Sequence, residues 1–80
     1  MSEKEIVSGL TKIFRDVFDD DDIVITRQTT ADDIEDWDSL EHINLIAAVE
    51  RKYKMRFTMK EVSSMKNVGE MIDIIAERAK

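Results

Sequence analysis

The chain has 80 residues, 12 of them basic and 18 acidic, with a formal net charge of -6, one His and no Cys. That length holds one domain, spanning 1–80, with a small core; the missing thiols exclude disulfides and, with a single His, a structural zinc site; the acidic balance disfavours nucleic acid as a partner. No apolar run approaches the ~20 residues of a membrane span, and charges scattered from Met1 to Asp16 leave no apolar leader, so a soluble cytoplasmic chain is expected.

With no Pro and only Gly9 and Gly69, helix is the default reading. Ser2 followed by Glu5 makes a capping-box pattern, and Ile6, Leu10, Ile13, Phe14 and Val17 fall on one helical stripe. Gly9 inside that helix costs about 1 kcal/mol against Ala. The helix should end near Phe18, because the carboxylates of Asp19, Asp20, Asp21 and Asp22 oppose its dipole and repel one another. From Asp19 to Asp38 the pattern is weak. Ile23, Val24 and Ile25 are β-branched but have no second strand to pair with, so a long loop pinned by some of these side chains is expected. Loops of this length are uncommon in compact domains and often functional.

A second helix begins at Asp38 or Ser39 and runs to about Tyr53. At about 100° per residue, His42, Leu45, Ile46, Val49 and Tyr53 share one arc, facing the core. Leu40, Ile43 and Ala47 share another, centred about 130–150° away. A second apolar arc must cover a loop, line a cavity or meet a partner. Asp38 can cap the helix, with Glu41 completing the box. Ser39 then stands at the partly positive end, a favourable place for a phosphate ester.

Lys54 to Phe57 reads as a connector. Thr58 and Glu61 cap a short helix, about Met59 to Ser64, with Val62 and Met65 facing inward. Asn67 caps the last helix, whose buried stripe is Val68, Met71, Ile72, Ile75 and Ala79. Arg78 and Lys80 complement the dipole at its end. The sum is an all-α fold, a small four-helix bundle with three principal helices, a short third helix and a long first loop. Its expected core is Ile6, Leu10, Phe14, Leu45, Ile46, Val49, Val62, Val68, Met71, Ile72 and Ile75.

Other chemistries fit poorly. Ser39 and His42 are three apart, but no glycine elbow surrounds the serine and no oxyanion hole is evident, so no catalytic residue is assigned. The acidic runs lack the sixth-position Gly of a calcium loop whether counted from Asp19 or Asp36, so no metal site is assigned. Basic residues form no nucleic-acid footprint.

Asp38-Ser39-Leu40, with the long loop before it and "EHINLIAAVE" after it, resembles the acyl carrier protein family over essentially the whole chain. The resemblance implies a carrier, not an enzyme. Ser39 would bear a covalent 4′-phosphopantetheine, transferred from coenzyme A by a magnesium-using phosphopantetheinyl transferase. The arm's thiol would hold acyl groups for loading and transferring enzymes of fatty-acid, polyketide-like or other specialised biosynthesis. The second helix is the family's docking surface, which makes Asp38, Leu40, Glu41, Ile43, Asn44 and Ala47 the expected partner face of a monomer. The family often has an acidic residue in place of Asn44 and Met in place of Ala47, and Arg51 and Lys52 add positive charge beyond them. Trp37 replaces the small residue typical of fatty-acid carriers and points to a specialised acyl or aminoacyl pathway; it is expected to pack against the loop. The rival readings are an aminoacyl or peptidyl carrier and an unmodified acidic helical adaptor.

Overall fold

The computed structural model describes residues 2–79, so Lys80 and its expected role lie outside the described residues. Four α-helices follow in order: α1 Glu3–Val17, α2 Ser39–Tyr53, α3 Met59–Ser64 and α4 Val68–Arg78. A 3-10 turn, Ala31–Asp33, interrupts the long first loop. The turn was not foreseen. Thr30 starts it, its N–H donating to the Asp33 carboxylate at 2.9 Å, a local capping bond with no apolar periodicity to betray it.

α1 starts on the expected box: Ser2 Oγ accepts the Glu5 N–H at 3.2 Å and Glu5 Oε1 accepts the Ser2 N–H at 3.3 Å. The Ser2 N–H and the Ser2 hydroxyl, which donates to the same Glu5 oxygen at 3.0 Å, hold the Glu5 carboxyl below the usual carboxylate range. Ile6, Leu10 and Phe14 are fully buried against Leu45 and Val49 of α2 and Val68, Met71, Ile72 and Ile75 of α4. Val62, read as core, is only partly buried, and no α3 residue is fully so. Six residues make under two turns, too short to present a stripe. Connector residues Met55 and Phe57 are buried in its stead. Glu50 secures this connector, its carboxylate accepting the Phe57 N–H at 2.8 Å.

Gly9 has a packing reason. A Cβ there would collide with the Tyr53 hydroxyl, which reaches over α1 toward the Ile6 carbonyl at 3.4 Å. Burial raises the Tyr53 pKa. The residue that weakens α1 as an isolated helix thus lets α2 approach it closely.

The first loop is fastened at both ends. Asp19 turns the chain with φ 49°, and Arg15 Nε donates to the Ile23 carbonyl at 2.9 Å. Ile23 and Ile25 are buried while Val24 between them is exposed, the alternation of an extended segment with one face on the core. Further on, the Thr29 and Arg27 carbonyls accept the Val68 and Gly69 N–H groups, each at 2.9 Å. The Arg27 guanidinium bridges Glu3 and Asp73. Arg78 does more than complement a dipole: it pairs with both Glu61 oxygens and donates to the Arg56 carbonyl, tying the end of α4 to the start of α3.

Candidate functional site

Asp38 caps α2, its Oδ1 accepting the Glu41 N–H at 2.8 Å. The expected box is only half made. Glu41 Oε1 accepts instead from Asn44 Nδ2 at 2.7 Å, and the Asp38 N–H donates to the Asp36 carbonyl. The turn before the helix satisfies the donor Glu41 would have served, which frees Glu41 to pair along the helix. Ser39, the first residue of α2, is exposed. Among the described residues no protein acceptor meets its N–H or that of Leu40. Two aligned donors and the helix dipole therefore face solvent beside an accessible hydroxyl.

Behind Ser39 runs a chain of three groups. Trp37 packs against the core cluster to which the loop residues Ile23 and Ile25 belong. Its ring meets the edge of Phe14 at 5.2 Å between centroids and 84°, and sits 6.1 Å from Phe18, so it packs on α1. Its Nε1–H donates to His42 Nδ1 at 3.1 Å, and His42 Nε2 lies 3.1 Å from the Val62 carbonyl on α3. An indole N–H only donates and a carbonyl only accepts, so the geometry calls for a neutral imidazole with its proton on Nε2. Both nitrogens are then engaged, one by the Trp37 indole and the other by the Val62 carbonyl. The signal available in sequence was an aromatic five residues before the only histidine, too weak without the fold.

Ser39 opens onto a cleft of about 510 Å³ between the loop, α2 and α3. Trp37, His42, Ile43, Val62 and Met65 line it together with the polar Asp38, Ser63, Lys66 and Asn67. Leu40, outside this lining, is 67% exposed and Ile43, at the edge of the cleft, 61%, and Asn44 and Ala47 are exposed too. The loop does not cover this arc. Arg51 and Lys52 are exposed at the far end of α2. Among the described residues no cluster of three metal-ligating side chains occurs, and no helix is long and apolar enough to cross a membrane.

No family model matches the chain. An acyl carrier protein of Acidothermus cellulolyticus, however, is 32% identical over 76 residues, covering 95% of this chain and 90% of that one. The chain belongs to the acyl carrier protein family. The fold agrees: the solution structure of a holo acyl carrier protein from Geobacter metallireducens superimposes with a TM-score of 0.85 at 50% identity, covering 90% of this chain and 83% of that one. A Mycobacterium tuberculosis structure, 20% identical with a TM-score of 0.75 over 95% of this chain and 97% of that one, shares the fold. As in other acyl carrier proteins, the role to be explained is that of a carrier rather than an enzyme.

Proposed function

We propose that this acyl carrier protein holds acyl intermediates as thioesters on a 4′-phosphopantetheine attached to Ser39. The observation that carries this reading is the exposed Ser39 hydroxyl at the first position of α2, beside two unpaired N–H groups and an open cleft. These features fit the group. The hydroxyl is accessible to a transferase. The N–H groups and dipole favour a phosphodiester. The cleft has room beside the attachment point. When attached, phosphopantetheine supplies the thiol that carries the acyl group. The Asp38 carboxylate caps the same helix end and repels a phosphodiester, which favours an arm projecting into solvent.

Asp38, Leu40, Glu41, Ile43, Asn44 and Ala47 form the proposed partner face. Apolar contact at Leu40 and Ile43 supplies most of its binding energy and the acidic rim steers encounter. The partners are a phosphopantetheinyl transferase and the acyl-loading and acyl-transferring enzymes of fatty-acid, polyketide-like or other specialised biosynthesis. The carrier works as a cytoplasmic monomer.

Co-expression with a broad-specificity transferase tests the reading. Intact mass should rise by one phosphopantetheine in the wild type and not at all in Ser39→Ala, with equal helicity. A folded wild type that stays unmodified would favour an acidic adaptor instead. Leu40→Asp or Ile43→Asp should slow modification without loss of circular dichroism.

A further inference from the structure

The head and foot of α2 carry opposite charge. Asp38 caps it and Glu41 stands in its first turn, while Arg51 and Lys52 fall in its last. Lys52 lies against α1 beside Gly9. Arg51 and Lys54 instead continue the exposed arc: at about 100° per residue, Leu40, Ile43, Ala47, Arg51 and Lys54 fall within ~60° of one another. Past Ala47 the arc opens into a notch of about 400 Å³, lined also by Glu50, Arg51, Lys54, Met55 and Arg56. Its three cations are exposed, and among the described residues no ion pair engages any of them. Arg15, Arg27 and Arg78, by contrast, are each tied to a carbonyl or a carboxylate. The one carboxylate in the notch, Glu50, accepts the Phe57 N–H at 2.8 Å. We propose that the notch receives an acidic side chain of a partner enzyme, so that α2 is read as a bipolar face. The partner then offers basic groups to Asp38 and Glu41, an apolar contact to Leu40 and Ile43, and a carboxylate to Arg51, Lys54 and Arg56. This rests on the reading of α2 as the partner face.

Helix electrostatics explains only part of this charge. Arg51 complements the dipole, but that effect fades within the last turn, and Arg56 lies beyond it on the connector. Lys54 closes α2 at φ 53°, a conformation that Gly or Asn adopts at less cost, so ending the helix does not call for a lysine. The two signs also act separately. Glu41 and Arg51 lie about 15 Å apart along the axis, beyond the ~8 Å screening length at physiological salt. A docking surface that is basic throughout would suit the head and meet three like charges at the foot. One with a carboxylate there gains charge-assisted hydrogen bonds from the guanidinium groups. Docking end-for-end sets like charges together at both ends. The foot of α2 therefore selects both the partner and its orientation, by repulsion as much as by attraction.

The full chain is titrated by calorimetry against a fatty-acid 3-oxoacyl synthase chosen for a carrier-docking surface that is basic along its length. The second probe is the same synthase with the basic residues facing the foot of α2 changed to Glu. In dilute salt the all-basic synthase should bind the triple variant Arg51→Glu, Lys54→Glu, Arg56→Glu about tenfold more tightly than the wild type. The Glu-bearing synthase should reverse that order. At about 1 M salt, where the screening length falls to ~3 Å, both differences should shrink below about twofold. The double variant Arg51→Gln, Arg56→Gln removes charge without reversing it; it should move the same way by about threefold and serves if the triple variant loses its helicity. Wild type and folded variants that bind each synthase equally in dilute salt overturn the proposal. So does a wild type that sediments as a dimer in dilute salt when the triple variant does not, because the head of a second copy then fills the foot. Leu40→Asp separates the two levels of inference. If it leaves binding unchanged, α2 is not the partner face and both readings fall; if it weakens binding while the foot variants change nothing, only the acidic-partner assignment falls.

Discussion

α2 and α4 begin alike and end up with opposite duties. Each has a capping side chain that takes the N–H three residues on, Asp38 for Glu41 and Asn67 for Glu70. At α4 the next two donors, Val68 and Gly69, are taken by carbonyls of the first loop. At α2 the corresponding donors, Ser39 and Leu40, meet no protein acceptor among the described residues. A helix end is a set of unmet hydrogen bonds; closed by the chain it becomes a structural joint, and left open it is available to a ligand. The same loop supplies both outcomes, sealing α4 with Arg27 and Thr29 and then leading through Trp37 to the open head of α2.

The largest way to disturb this contrast lies beneath the open end. Phe14→Ala should cost about 3–5 kcal/mol by cavity formation, against a total stability of ~4–12 kcal/mol for a chain this size. Urea unfolding should show it, together with a red-shifted Trp37, because that indole loses its edge partner. Next comes the sealed end. At Gly69 a Cβ would stand 2.9 Å from the Arg27 carbonyl, which is backbone and cannot swing away. Gly69→Ala should cost about 1–3 kcal/mol and speed amide exchange at Val68 and Gly69, while modification at Ser39 stays normal. Unchanged exchange there would dissolve the contrast.

Removing the caps should sharpen it. Asp38→Ala and Asn67→Ala should each cost about 1 kcal/mol by thermal unfolding, but Asp38→Ala alone should alter the rate of modification. At Gly9 the two requirements oppose one another. Gly9→Ala should destabilise the wild type, whose Tyr53 hydroxyl occupies the space, and stabilise Tyr53→Phe by up to ~1 kcal/mol through helix propensity. A double-mutant cycle reads the difference.

The smallest effect is expected at α3, which polar ties hold rather than burial. The hydrogen bonds from Arg78, with help from Thr58, lower the Glu61 pKa. Its folded value therefore lies below its unfolded one. The contribution is fully present above the unfolded carboxylate range and is lost as pH falls through the lowered folded value. Amide exchange in α3 should rise on acidification before exchange in α1 does, and Glu61→Gln should abolish that step. The pair is solvent-screened, so added salt should mimic part of the change.

Much of this was legible from residues alone. All four α-helices, the caps at Ser2, Asp38, Thr58 and Asn67, and the buried stripes of α1 and α4 follow from period and capping chemistry, which are local. The resemblance carried by Asp38-Ser39-Leu40 marked the helix whose head is open. The exposed arc of Leu40, Ile43 and Ala47 was also visible as a second apolar side, although its freedom from the loop was not.

What the sequence could not decide is where the unpaired groups go. The Glu41 side chain, the N–H groups of Val68 and Gly69, the Arg78 guanidinium and both nitrogens of His42 all had more than one partner available along the chain. Local patterning sets which residues are helical and which face is apolar, because those depend on neighbours within four positions. Only the packed arrangement of loop, α3 and helix ends selects among distant hydrogen-bond partners, since their spacing depends on how every intervening element is stacked. That selection sealed one helix head, left the other open, and linked Trp37, His42 and the Val62 carbonyl in a chain behind it.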